Sequence, residues 1–358
     1  LLNDLIGRAK AAGADAADAV AVDGTSISHA RRLGKLEKLD RAEGRDLGLR
    51  VFVGKRQAIV SSSDRSASAL KELVERAVAM ARAAPEDPFC GLAEPGDIAR
   101  TLPDLDMIDP VEPPTDTLIA RASAAEEAAM AVAGVTNSEG AEASWSRSNV
   151  ALAATNGFSA AYGRSSHSIS ASVIAGEGTG MERDYDYSSV IHGADLESPA
   201  AVGKRAGERA VKRLKPRKVA TTKVPIVFDP RISGSLLRHL TSAINGASIA
   251  RGTSFLKGKN GQAIFAPAIN VIDDPLRRRG LRSRAFDGEG LPTQRRALIE
   301  NGVLTGFLLD LATARQLKMA PTGTATRGGS GLPSPSTSNL YLAAGAKTRS
   351  EEHTSELQ

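Results

Sequence analysis

Five histidines supply all the imidazole in this chain: His29, His167, His192, His239 and His353. Zinc hydrolysis needs two neutral imidazoles on one ion, a third ligand and a carboxylate that activates water. No two of these histidines lie within five residues of each other, so a short-range HExxH motif is absent. The single cysteine, Cys90, excludes an internal disulfide framework and any multi-cysteine zinc module. It sits in Pro88-Phe89-Cys90-Gly91-Leu92 and reads as a loop thiol of a cytoplasmic protein. The sequence has no GxSxG elbow, no Walker loop and no GxGxxG after a strand. Gly176–Gly180 is glycine-rich but leads into Met181-Glu182-Arg183, which makes it a loop. Asp184 and Asp186 flank Tyr185 and could form an acid pair, although solvated strand residues are the plainer reading.

Charge offers a second kind of chemistry. The chain has 358 residues and a formal net charge of +5, with two basic runs, Lys212–Lys218 and Arg277–Arg284. Such runs can bind nucleic acid. Aromatic residues make up only 4% of the chain and none interleaves the runs, which argues against a stacking platform for single strands. Solvated loops or a partner-facing patch are the preferred reading. The apolar runs are far too short for a bilayer-crossing helix, so no membrane role is expected.

The elements that would position any site follow from apolar periodicity. Leu2–Ala12 reads as a helix, and Ala19–Val22 as a short strand closing on Asp23-Gly24. Ser26–Leu39 is ambiguous. Leu47–Ser62 is a hairpin turning at Gly54-Lys55, and Ser66–Ala84 an amphipathic helix ended by Pro85. Five prolines between Glu94 and Pro114 mark an extended linker, after which Thr115 caps a helix running to Val132. Strands occupy Val135–Ile191, with a turn at Thr155-Asn156-Gly157, and a basic helix opens at Pro199. The run Val224–Phe228 leads into Asp229-Pro230, an N-cap followed by proline at the first helical position. The helix beyond it is expected to bury Ile232, Leu236, Leu240 and Ile244. Strand signals return at 268–272, 296–299, 304–309 and 339–342.

Several motifs stand in order along the second half of the chain. They are Val227-Phe228-Asp229-Pro230, Ala250–Lys259 with its Arg251-Gly252-Thr253-Ser254, Phe286–Thr293 with its Asp287-Gly288-Glu289-Gly290, Leu298–Leu304 and Thr337–Leu342. Together with Pro85–Phe89 and the Thr155–Gly157 turn, they resemble the TldD/PmbA family over nearly the whole chain. The resemblance implies two arms. The TldD arm is similar to zinc peptidases and carries HExxxH on the helix before its Arg-Gly-Thr-Ser-like segment. The PmbA (TldE) arm lacks the motif and pairs with TldD as a heterodimer. Counted back from Arg251, the motif positions fall at Leu237, Arg238 and Ser242. Leucine cannot ligate, arginine cannot act as base, and serine is a poor zinc ligand. The chain therefore resembles the PmbA arm, and zinc is expected in a TldD-like partner and not here.

The resemblance implies a cytoplasmic bacterial component of a peptidase that acts on extended or unfolded peptides. Arg251, Gly252, Thr253 and Ser254 become candidate contacts to peptide or partner, with Ala250 and Phe255 anchoring the loop. A purely conformational role set by Gly252 stands beside that reading. A peptide-binding protein without activity and a nucleic-acid-associated factor are the alternatives.

The expected fold is α+β in several domains. An N-terminal α/β domain covers residues 1–93 and a linker 94–114. A middle domain of a helix and antiparallel strands covers 115–218. A β-rich C-terminal domain with one packed helix covers 219–348. The last ten residues, 349–358, look like a processing scar, and with no initiator methionine the chain is expected to be a fragment.

Overall fold

In the computed structural model, which describes residues 1–345, the first two sections share one antiparallel sheet. Its strands are β1 (Ala16–Arg32), β2 (Lys35–Val53), β3 (Arg56–Ser62), β4 (Val135–Ala154), β5 (Ser159–Ala175) and β6 (Glu182–Val190), in the order β3-β2-β1-β4-β5-β6. The strand expected to close at Asp23-Gly24 instead runs on to Arg32. Both of its edges are paired there: Asp23 lies opposite Arg45 on one side and Asn149 on the other. The ambiguous stretch Ser26–Leu39 is the end of this strand, a turn at Leu33-Gly34 and the return.

Side chains alternate across a strand, so the sheet has two distinct faces. On one face Ala17, Ala19, Leu47, Leu49 and Val51 pack under α1 (Leu2–Ala11) and α2 (Ala67–Ala83). Further along the same face Ile27, Trp145, Ile169 and Val173 pack under α3 (Thr115–Met130) and α4 (Pro199–Lys212). The N-cap of α3 is Pro114, with no side-chain cap, in place of the expected Thr115. On the opposite face Val20, Leu152 and Phe158 meet Phe286 of the C-terminal section. That contact explains Gly48: a Cβ there would stand 1.9 Å from the carbonyl oxygen of Gly329. Beyond this covered half, the face carries half-buried Ser26, Ser28, Ser144, Ser168, Ser170 and Ser172, ending at exposed, stacked Tyr185 and Tyr187.

The segment 94–114 is extended, and it is also packed. Leu105 and Met107 are buried against the sheet, and the Asp109 carboxylate accepts from the backbone N–H of Gly193.

The C-terminal section contains α5 (Pro230–Ala243), α6 (Gly246–Arg251) and α7 (Leu311–Leu317). Its strands are short: β7 (Val271–Asp273), β8 (Arg296–Glu300), β9 (Val303–Leu304), β10 (Ala325–Thr326), β11 (Ser334–Pro335) and β12 (Leu340–Leu342). They form a four-stranded sheet, β12-β7-β8-β9, and a two-stranded one, β10-β11. Where one packed helix is expected there are three among the described residues, and much of the rest is irregular. The expected scar lies outside the described residues.

Candidate functional site

The helix that would carry a zinc motif, α5, begins as its sequence dictates. The Asp229 carboxylate accepts from the N–H of Arg231 at 2.9 Å, and Pro230 fills the first turn. The expected burial holds for only half of the helix. Leu240 and Ile244 are in the core, but Ile232 is 56% and Leu236 49% exposed. Periodicity marks an apolar face but does not say how far the neighbouring layer extends. Here the apolar side chains of the first half of α5 and of the preceding run Val224–Phe228 are left exposed.

What holds the outer end is an ion pair. Arg231 donates to the Asp184 carboxylate at 2.8 Å and to the Tyr185 carbonyl at 3.0 Å, with its guanidinium over the Tyr185 ring. Asp184 and Asp186 are therefore not solvated strand residues. Both are buried, Asp184 with Arg231 and Asp186 with Arg205 and Arg209. Burial alone would raise the Asp184 pKa, but the hydrogen bonds from Arg231 and from a backbone N–H outweigh it and hold the carboxyl below its ordinary value.

At the motif positions, Leu237 packs partly into the core while Arg238 and Ser242 are exposed, as is His239. The donor set on this helix is thus a hydrocarbon, a permanent cation, a hydroxyl and a lone imidazole. It does not fit a zinc ion. Among the described residues no group of three or more His, Cys, Asp or Glu converges to hold a metal.

The Arg251–Ser254 segment follows directly. Asn245 caps α6 by accepting from the N–H of Ala247 at 3.0 Å, and its amide donates to the Pro335 carbonyl. Gly252 ends α6 in the left-handed conformation, φ +75°, where a side chain is strained. Thr253 donates its N–H to the Ser248 carbonyl. The Ser254 hydroxyl donates to the Ala243 carbonyl at the end of α5 and accepts from the N–H of Leu256. Three of the four residues thus shape the loop, and Arg251 projects into solvent with no ion pair among the described residues. The expected anchor is corrected: Phe255 is 81% exposed, and buried Leu256 fixes the loop in its place.

The Phe286–Gly290 motif lies in the core. Phe286 packs edge-on against Phe158 and Tyr162 of the large sheet. The Asp287 carboxylate accepts from the N–H groups of Glu289, Leu291 and Ala325, and burial lifts its pKa to about 6. Glu289 accepts from the N–H of Leu311 at the start of α7, and burial pushes its pKa to about 8. Nearby, Asp18 is enclosed by Arg50 and Arg327, all three buried. Sequence reasoning missed this group. The available signal was an acid at an inward position of a strand, Asp18, with a basic residue, Arg50, at an inward position of the neighbouring strand.

Comparison with known proteins agrees with this architecture. Three domains of the PmbA/TldA metallopeptidase match in order: domain 1 at residues 17–81, the central domain at 108–214 and the C-terminal domain at 221–358. Metalloprotease PmbA of Escherichia coli O157:H7 is 35% identical over 310 residues, covering 86% of this chain and 69% of that protein. The chain belongs to the PmbA/TldD family. The PmbA homolog of Haemophilus influenzae is 34% identical over 314 residues, 87% of this chain and 69% of that one. The TldD homolog of the same organism matches more narrowly, at 30% over 124 residues, 34% of this chain and 26% of that one. Among solved structures, a candidate modulator of DNA gyrase from Bacteroides thetaiotaomicron superposes with a TM-score of 0.87 at 26% identity, covering 96% of this chain and 76% of that one. TldE from Thermococcus kodakarensis superposes at 0.82 with 20% identity, covering 98% and 79%, and shares the fold. Within this metalloprotease family the chain is of the PmbA type. No helix among the described residues is long and apolar enough to cross a membrane.

Proposed function

We propose that this PmbA-type chain is the zinc-free subunit of a two-chain metallopeptidase that acts on extended or unfolded peptides in the bacterial cytoplasm. A TldD-like partner would hold the zinc and supply the water-activating carboxylate. The observation that carries this reading is α5. Counted back from Arg251, the positions where the resemblance puts the zinc motif fall on this helix and hold Leu237, Arg238 and Ser242 in place of ligands. An apolar surface at Ile232 and Leu236 and an exposed Phe255 lie on the same helix–loop unit, which suits contact with a partner. The alternative of a nucleic-acid-associated protein draws on the basic runs, but many of those guanidiniums already have internal partners. Arg213 pairs with Glu182, Arg279 with Asp106 and Asp195, and Arg284 donates to backbone carbonyls.

The test is co-expression with a TldD-like chain. Co-elution as a complex, zinc in the pair but not in this chain alone, and peptide cleavage by the pair alone are the expected results. One zinc per isolated chain after dialysis, or failure of the two chains to associate, overturns the reading.

A further inference from the structure

A second feature of α5 is the cleft on its flank. A cavity of about 520 Å³ opens between α5, the turn 277–282 and the start of β12. Its charged lining is entirely basic: Arg238 from the helix, and Arg277, Arg279 and Arg282 from the turn. Leu237, Leu281 and Leu340 add apolar surface between the guanidiniums. No aspartate or glutamate lines it.

The turn that presents these arginines is firmly built. The Arg279 backbone N–H donates to the Leu105 carbonyl, and its guanidinium is tied to Asp106 and Asp195. The Arg282 N–H donates to the Asn339 side chain at 2.9 Å, whose amide donates in turn to the Asp274 carbonyl and the Ser283 hydroxyl at 2.7 Å each. Arg238, Arg277 and Arg282, by contrast, have no salt-bridge partner among the described residues. Three guanidiniums from two different elements thus line one cleft. They gain charge-assisted, planar hydrogen bonds when an anion enters.

From this we infer that the cleft binds carboxylate groups of an extended peptide, and so gives the subunit a preference for acidic or C-terminal stretches of chain. Guanidinium forks match the planar, two-oxygen shape of a carboxylate. The leucines between them suit the aliphatic part of a peptide better than a ribose-phosphate chain, and no aromatic side chain lines the cleft to stack a base. The ligand class rests on the peptide-subunit reading above.

The experiment is fluorescence anisotropy on the full chain with four labelled probes. These are a neutral octapeptide with a free C-terminal carboxylate, its C-terminal amide, an amidated octapeptide bearing two glutamates, and an oligothymidine of eight nucleotides. The expected result is that at least one carboxylate-bearing peptide binds at least about tenfold more tightly than the neutral amide, each charge-assisted contact contributing roughly that factor. Which of the two binds separates the C-terminal carboxylate from the side-chain source. The triple variant Arg238→Ala, Arg277→Ala, Arg282→Ala should lose this preference, while Lys71→Ala on α2 keeps it. If the triple variant has a changed circular dichroism spectrum, the single Arg→Gln variants carry the comparison. Equal affinity for all three peptides, unchanged binding by the substituted arginines, or tighter arginine-dependent binding of the oligothymidine each overturns the inference. Association with a TldD-like chain is measured separately, so a failed carboxylate preference in a cleaving pair sinks this inference alone.

Discussion

Two motifs of the C-terminal section met opposite fates. Arg251–Ser254 lies on the surface, where hydrogen bonds between the Ser254 hydroxyl and the backbone fix the loop and leave one guanidinium free among the described residues. Phe286–Gly290 lies between the C-terminal section and the large sheet, and its two acids are satisfied almost entirely by backbone N–H groups. Both read as polar, glycine-containing motifs in a linear sequence. The difference teaches that a recognisable motif marks either a surface that must be offered or a junction that must be closed. Only the side chains' partners tell the two apart.

The largest effect expected at the junction is from Asp18→Ala. It leaves Arg50 and Arg327, with side chains only 4% and 1% exposed, without their shared carboxylate. Stranding buried charges typically costs about 3–5 kcal/mol. Urea denaturation should show a loss of that order, and a loss under about 1 kcal/mol would mean that water reaches the cluster.

On the surface loop, Leu256→Ala and Phe255→Ala form a contrasting pair. Truncating buried Leu256 should destabilise by about 2–4 kcal/mol, whereas exposed Phe255 should change stability by under ~0.5 kcal/mol. Equal effects would place Phe255 in a core after all.

The junction should also respond to pH through Glu289. Its carboxyl pKa is raised from 4.5 to about 8, so between these values the folded protein holds a proton that the unfolded chain has lost. Stability from this group is therefore full below about pH 4.5 and falls as pH rises towards 8, by at most ~1.4 kcal/mol per pH unit. Glu289→Gln keeps an oxygen for the Leu311 N–H and removes the titration. Its melting temperature should decline less than that of the unsubstituted chain between pH 6 and 8. Parallel declines would show that Glu289 stays ionised in the folded state.

Arg251→Ala should likewise change stability by under ~0.5 kcal/mol, because its side chain is exposed and unpaired among the described residues. Reconstituted with a TldD-like partner, the same variant should cleave peptide more slowly. An unchanged rate would leave Arg251 without a part in the pair.

The helices α1 to α5 and the hairpin at Gly54-Lys55 were legible because their cues are local: apolar spacing, Asp229 as a cap, a glycine-first turn; the short α6 and α7 offered no such spacing. The length of β1 was not, because Asp23 and Gly24 look like a turn until strands on both sides supply pairs. Likewise Asp184 reads as a solvated acid until Arg231, 47 residues away, arrives beside it. On the candidate site, the missing donor set at Leu237, Arg238 and Ser242 needed only the residue types, since no fold can make leucine or arginine a zinc ligand.

The sequence by itself thus determined the family, the α+β character, the Asp229-Pro230 start of α5 and the chemistry that α5 lacks, all of which depend on residue identity and spacing along the chain. The tertiary structure decided that the first two sections share one sheet, that only half of α5 is covered, that Asp18 meets Arg327, and that Arg238 faces Arg277 and Arg282 across a cleft. These are contacts between residues far apart in sequence. Burial and charge pairing are properties of the assembled neighbourhood, and no local pattern encodes which distant side chain completes it.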